Sequence, residues 1–352
     1  MNIGTLKRWL LTIVVLAAAG LLFLYPTNYF VKKPGEAYNA ANYIAVEHKD
    51  SDDKGELRFT TVTVMSATPF LYALGIILPN REVVEREEIY QEEEDPEEYR
   101  VRQLELMDNS QFNAISVAFK QADLPFNVRF KGLNVLNVLS NSAADGKLKT
   151  GDVIVEFAGQ VLKDAEHFAA LMDAKEKGDT VQIVVERQKE LVTESIKLKE
   201  IPKTDGKIGL GITYSVNQVI HTEPTVKMNT EDIGGPSAGL MFTLEILNQL
   251  LDEDITKGYV IAGTGTMEAD GTVGRIGGID KKVVAAHKAG ASYFLAPDDD
   301  IPAEAYKRNP MLKTNYEEAL VAVKKLNTDM EIVPVKTIED AIAFLDSLQP
   351  KK

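Results

Sequence analysis

Residues 9–25, WLLTIVVLAAAGLLFLY, run for 17 positions without a charged side chain, and no other stretch restricts the chain so strongly. Wound as a helix at about 1.5 Å per residue, the run is roughly 26 Å long, close to the roughly 30 Å of a bilayer's hydrocarbon core. Trp9, Tyr25 and Tyr29 stand where interfacial aromatic side chains belong. A cleaved signal peptide would carry a shorter apolar segment, about 7 to 15 residues, followed by a small-residue cleavage site, and no clear A-x-A string follows here. The reading is an uncleaved, single-pass transmembrane anchor over residues 9–30 that contacts membrane lipid. Lys7 and Arg8 on one side are nearly matched by Lys32 and Lys33 on the other, so orientation rests on the tiny N-terminal tail. That tail, residues 1–8, is expected to stay cytoplasmic, leaving the bulk of the chain outside the cell membrane.

The remainder is long for one core, and two folded domains are expected. A net charge of -14 argues against nucleic acid, which needs a basic footprint. Much of the acidity is local, between Glu82 and Glu98 (Glu85, Glu87, Glu88, Glu92, Glu93, Glu94, Asp95 and Glu97 among them), and reads as a solvated helix face or loop. There are no cysteines, which excludes disulfides, thiolate catalysis and Cys-based metal sites. His48, His167 and His221 are scattered, and no zinc-type spacing occurs. No metal or cofactor is expected.

Residues 34–124 open with strand-like alternation at Tyr43–Val46 and Leu57–Val64, separated by a polar segment from Lys49 to Gly55, a hairpin candidate. From Glu82 to about Gln121 an apolar stripe through Val101, Leu104, Met107, Phe112, Ile115 and Phe119 predicts helix, ended by Leu124-Pro125. Residues 125–201 then read as short strands (128–130, 133–139, 153–158, 180–186, 194–198) and one helix near 164–174. The string Leu148-Lys149-Thr150-Gly151-Asp152-Val153-Ile154 with Gly159, after the turn Ser142-Ala143-Ala144-Asp145-Gly146, resembles a PDZ domain of the bacterial protease type. The resemblance implies capture of an extended peptide at a sheet edge. It would put the groove-forming loop near Lys131, with Gly132, Leu133 and Asn134 as peptide-binding residues.

From 205 to 348 strands and helices alternate, and three strings stand out. Gly234-Gly235-Pro236-Ser237-Ala238-Gly239 directly precedes the apolar helical run Leu240–Leu251. A serine in that position lies on a tight turn whose free amides can stabilise an oxyanion, with Gly235, Pro236 and Ala238 shaping the loop. The second string is Ala262-Gly263-Thr264-Gly265-Thr266. The third, Gly277-Gly278-Ile279-Asp280-Lys281-Lys282-Val283-Val284-Ala285-Ala286-His287, sets a lysine among apolar neighbours. A lysine activates a serine only when neutral; lowering its pKa from about 10.4 to near 7 requires about 4 to 5 kcal/mol, which burial can supply. Together these strings resemble the proteolytic domain of the Lon family. The resemblance implies Ser237 as nucleophile, Lys282 rather than Lys281 as general base, and Thr264 as the residue that holds the lysine. Many members carry an aspartate two residues before the proline, where this chain has Gly234.

The expected architecture is an α/β (α+β) Lon-type proteolytic domain plus a β-rich PDZ domain and an N-terminal transmembrane helix. The early strands could complete the protease sheet, which would make the PDZ unit an insertion. The whole arrangement resembles membrane-anchored Lon-like proteases of Gram-positive bacteria. No G-x-x-x-x-G-K-[ST] string occurs, so cleavage of peptides or unfolded segments is expected without ATP. Two other readings stay open: Gly235–Gly239 fits the G-x-S-x-G elbow of an esterase, which would need a downstream Asp and His, and the chain could be a tethered PDZ scaffold with a dead protease domain.

Overall fold

The computed structural model describes residues 3–47, 54–91, 94–230 and 233–351. Glu92 and Glu93 of the acidic run, His48, and most of the polar segment 49–55 lie outside the described residues. The chain forms two compact units, one of Met1–Tyr43, Asp50–Glu93 and Ser237–Lys352, the other of Ile44–Lys49 and Glu94–Pro236.

The first unit opens with helix α1, Ile3–Leu24, long and apolar enough to cross a membrane and exposed along its described length. Strand β1 (Tyr29–Asn39) then pairs antiparallel with β2 (Glu56–Ser66), with an irregularity between Pro34 and Ala37. The expected hairpin between residues 43–46 and 57–64 does not form. Ile44–Val46, whose Ile44 and Val46 are buried, pairs with Val226–Met228 of the second unit instead. A helix that the sequence reading passed over follows β2: α2, Pro69–Ile77. Thr68 caps it, its hydroxyl accepting from the Leu71 amide at 3.3 Å, and Pro69 occupies the first turn, where a missing N–H costs nothing. Glu82–Glu85, expected to be helical, is strand β3 on the outer side of β1, because Val84 turns into the core.

In the second unit, α3 (Pro96–Gln121) starts on a capping box of Asp95 and Glu98. Glu94, read as solvated, is buried and bound by the Arg102 guanidinium at 2.7 and 2.8 Å. The expected pair of short strands is one long bulged strand, β4 (Phe126–Val138). It is followed by β5 (Val153–Phe157), α4 (Ala165–Asp173), β6 (Thr180–Arg187), β7 (Glu190–Lys197) and β8 (Ile212–Thr222). The sheet runs β8-β4-β5-β6-β7. Strand β8, which lies in the stretch expected to begin the C-terminal domain, pairs with β4 along its whole length at one edge of this sheet. Leu133, Val135, Ile154, Phe157, Ile183, Val185 and Ile196 fill the core, and Asp152 in the preceding turn is bound through two oxygens by Arg187.

The first unit resumes with α5 (Gly239–Leu250), β9 (Val260–Gly263), α6 (Ile279–Lys288), β10 (Tyr293–Pro297) and β11 (Glu331–Val335). Its sheet order is β11-β10-β9-β2-β1-β3, so strands from both ends of the chain share one sheet. β2 runs parallel to β9 with Thr60 one residue beyond the Phe59–Gly263 pair. Helix α5 is buried from Gly239 to Gln249, and of its buried polar residues Gln249 donates to Glu245.

Candidate active site

Helix α6 is entered through Gly278, which adopts φ 68 where a side chain would be strained, and a Cβ there would stand 3.0 Å from Val62. The helix then presents Ile279, Lys282, Val283 and Ala286, spaced three and four apart, on one inward face. Three of these join a core cluster with Ala262 and Phe294. The fourth is a lysine, 3 % exposed.

The Lys282 ammonium nitrogen, Nζ, lies 2.8 Å from Ser237 Oγ, 2.7 Å from the Thr60 carbonyl oxygen and 3.1 Å from Thr264 Oγ1. The Thr264 hydroxyl donates to the Ser237 carbonyl at 2.9 Å, so toward the lysine its oxygen can only accept. A neutral amine has two N–H groups, and Thr60 O and Thr264 Oγ1 consume both. The remaining lone pair is aimed at the Ser237 hydroxyl. Burial pulls the Lys282 pKa from 10.5 down to about 7, so this neutral form is accessible near neutrality.

The serine is held from behind. Its carbonyl also accepts from the Gly265 amide at 3.0 Å, and the Gly265 carbonyl accepts from Leu240 N–H at 3.1 Å, tying the start of α5 to the strand end after β9. Among the described residues Lys282 is the one hydrogen-bond partner of Ser237 Oγ. No described histidine reaches it, as the esterase reading would require. Of the three loop residues named with the serine, only Ala238 offers a free donor: its amide has no partner among the described residues. Pro236 has no N–H, and the Gly235 amide is spent on the Gln103 carbonyl at 2.9 Å within the second unit.

Lys281, the adjacent residue, exposes as little surface but is differently surrounded. Its Nζ reaches Glu82 at 2.6 Å and Asp280 at 3.0 and 3.2 Å. Burial works against its charge, yet the hydrogen bonds and charges of Glu82 and Asp280 outweigh it and raise its pKa. It stays a cation.

In the second unit the residues expected to form the peptide-binding loop lie in a strand. Gly132, Leu133 and Asn134 form no loop; they lie inside β4, paired with Asn217, Val216 and Ser215 of β8, while Leu133 and Asn134 also pair with Ile154 and Val153 of β5. Asn134 is occupied by Glu105 and Asn217. One edge strand of the sheet is β7; the other is β8, hydrogen-bonded to a strand on one side only. It is entered through Gly209-Leu210-Gly211, where the Leu210 and Gly211 carbonyls accept from Ala144 and Leu139 and no described residue accepts from the two amides. Tyr214 of β8 meets Phe168 of α4 at 5.4 Å between ring centres, so a helix flanks the edge. The Gly-x-Gly string at 209–211 was the available sequence signal. Thr60, by contrast, contributes a backbone carbonyl and left none.

Comparison with known proteins finds two domain families in the chain, the second beginning within β8. Residues 110–198 match the PDZ domain family and residues 214–345 match the Lon protease (S16) C-terminal proteolytic domain. The chain carries a PDZ domain and a Lon-type proteolytic domain. It is 34 % identical to a Lon protease of Campylobacter concisus over 109 residues, 31 % of this chain and 11 % of the relative. It is 42 % identical to a mitochondrial Lon protease homolog of Neurospora crassa over 67 residues, 19 % of this chain and 6 % of that protein. A PDZ domain of the SdrC-like protein of Listeria monocytogenes is 33 % identical, with TM-score 0.24, covering 25 % of this chain and 92 % of that domain. The chain thus spans a small fraction of the Lon proteases it matches, and the shared part is the proteolytic domain, which supports a serine peptidase.

Proposed function

We propose that the protein is a serine endopeptidase in which Ser237 attacks the scissile carbonyl and neutral Lys282 takes its proton. The observation that carries this reading is the 2.8 Å approach of Lys282 Nζ to Ser237 Oγ with both of the amine's own hydrogens already committed elsewhere. As the C–O bond forms, the carbonyl oxygen becomes an oxyanion, for which the Ala238 amide at the head of α5 is the available donor. Lys282, now an ammonium, returns the proton to the leaving amine as the C–N bond breaks, leaving an acyl-serine. Water then attacks that ester, giving its proton to the regenerated amine, and the peptide acid leaves. Thr264 holds the lysine and the serine carbonyl at once, so it positions both partners.

The substrates are exported peptides or flexible protein segments cut without ATP, consistent with the lack of a phosphate-binding loop in the sequence. With α1 in the bilayer, the bulk of the chain lies on the outer face of the cell membrane, as in the Gram-positive Lon-like proteases that the domain order resembles. The PDZ unit would bind an extended C-terminal segment along the free edge of β8, its carboxylate meeting the amides of Leu210 and Gly211.

The test uses the full chain in detergent micelles with an unstructured peptide and mass-spectrometric identification of products. Cleavage by the wild type that is unchanged by ATP and absent in Ser237→Ala supports the assignment. Equal cleavage by both proteins removes it, and no cleavage by either favours the tethered PDZ scaffold.

A further inference from the structure

Helix α2 combines two properties that do not coexist in a water-soluble surface helix. Its sequence, PFLYALGII, contains no charge, and none occurs anywhere between Arg58 and Arg81. Yet Phe70 is 37 % exposed, Ile76 66 %, Ile77 74 % and Leu78 36 %. A helix apolar on every side is normally buried on every side, and an exposed apolar patch marks a contact surface. The opposite side of α2 is already committed. Gly75 lies so close to the sheet that a Cβ would stand 2.7 Å from Val83 and 3.2 Å from Val31. The helix is also tied at its start, because the Ala67 carbonyl accepts from the Thr27 amide at 2.9 Å and the Ala67 amide donates to the Tyr29 carbonyl at 2.8 Å.

What covers the free side is indicated by its neighbour. Phe70 packs on Phe23, in the last turn of α1, with ring centres 4.7 Å apart, and Tyr72 packs on Tyr29 at 4.9 Å. The exposed apolar surface of α1, including Phe23 and Leu24, therefore continues onto α2 without a break. We propose that α2 is a second membrane-contacting element, lying in the headgroup and acyl boundary beside the end of α1, a proposal that rests on the reading that α1 spans a bilayer. Such a helix buries its apolar face by about 5 to 10 Å.

The placement has a consequence for catalysis. Helix α2 packs on β1 and β3, and Lys281, next to the base, is bound to Glu82 at the start of β3. The sheet on which the base's helix α6 packs is thereby held at a set height over the lipid, which favours scissile bonds close to the membrane surface over distant ones.

The chain has no cysteine, so single-cysteine variants of the full protein can carry an environment-sensitive dye. Ile77→Cys tests α2, Leu16→Cys tests α1, and Met311→Cys, at an exposed position, is the aqueous control. Each is reconstituted into vesicles of phosphatidylcholine and phosphatidylglycerol, with circular dichroism to check folding. The expected result is blue-shifted emission from the dye at position 77 and a severalfold greater intensity loss to spin-labelled lipid than at position 311. If position 77 behaves like position 311 while position 16 is quenched, the proposal fails and the anchor stands. If position 16 is also unquenched, the anchor reading fails and the proposal falls with it. A blue-shifted but lipid-shielded dye at position 77, with crosslinking between copies through Cys-reactive reagents, would assign this face to a second copy of the chain and overturn the lipid contact.

Discussion

The two sides of the first turn of α6 are built from the same residue type and do opposite things. On the inward side Lys282 has a carbonyl and two hydroxyls around it and no counter-ion, so burial lowers its pKa to about 7. On the outward side Lys281 exposes as little surface but is less deeply enclosed, and Glu82 and Asp280 compensate it, so its pKa rises. The difference shows that burial alone does not make a lysine a base. Two features separate the environments: Lys282 is enclosed more deeply, and among the described residues no carboxylate reaches it.

The comparison breaks most directly in activity. Lys282→Met should lower peptide cleavage by about a thousandfold or more, since the base and its serine act as a unit, whereas Lys281→Met should stay within about tenfold of the wild type. Steady-state kinetics on an unstructured peptide decides; equal losses would mean that the two environments are not functionally distinct. In the active proteins kcat/KM should rise with pH through about 7 as Lys282 loses its proton, with the midpoint unmoved by Lys281→Met.

Next in size is an effect on stability. The folded pKa of Lys282 lies below that of free lysine, so between about pH 7 and pH 10 the unfolded chain binds more protons and the folded state gains as pH rises. Below pH 7 the full penalty is present. A displacement from 10.5 to about 7 corresponds to about 5 kcal/mol, and the wild type should gain about that much on Lys282→Met between pH 6 and pH 10 in denaturant titrations. A gap independent of pH would show that the lysine is not desolvated.

Thr264→Val removes the hydroxyl that accepts from Lys282 and donates to the Ser237 carbonyl, and should lower kcat by about 10- to 100-fold, with Thr264→Ser restoring most of it. An unaltered kcat in the valine variant would leave the lysine's placement to the Thr60 carbonyl alone. The smallest effect is expected at Lys281. Its partners Glu82 and Asp280 are about half exposed and can rehydrate, so Lys281→Met should cost about 1 kcal/mol or less. That contribution runs with the opposite sign to Lys282's: it is present below the ordinary lysine range and lost as pH climbs through the raised pKa.

The residues whose chemistry sits in their own side chains were legible. Ser237, Thr264 and Lys282 lie in short strings that fix turn, strand end and helix, and the structure brings all three to one point. What the sequence concealed depended on pairing at a distance. Tyr43–Val46 alternates like a hairpin arm, but its partner is Val226–Met228, far along the chain. Residues 131–134 carry a glycine that suggests a loop, yet they continue a strand: Gly132 pairs with β8 beside a bulge, and Leu133 and Asn134 pair on both sides. The edge strand 212–222 reads like any other strand, and only its register with β4 assigns it to the PDZ sheet. The acidic run concealed Glu94, whose burial depends on Arg102 eight residues on. Helix α2 was missed because an uninterrupted apolar stretch has no period to reveal whether it is strand, core helix or interfacial helix.

The parallel pairing of β2 with β9 also sets an order of events during synthesis. Thr60 precedes the lysine that its carbonyl holds by 222 residues, and Ser237 precedes it by 45. At about 5 to 20 residues per second, a growing chain carries Thr60 for roughly 10 to 45 seconds before the base has been made. Under the proposed mechanism the serine emerges without a proton acceptor, the PDZ unit is made before the base, and the last component to arrive is the one that would switch on hydrolysis. On that mechanism a nascent chain would not cut itself or its neighbours until α6 has docked against β2, so the long loop closure that slows folding would also delay the appearance of activity.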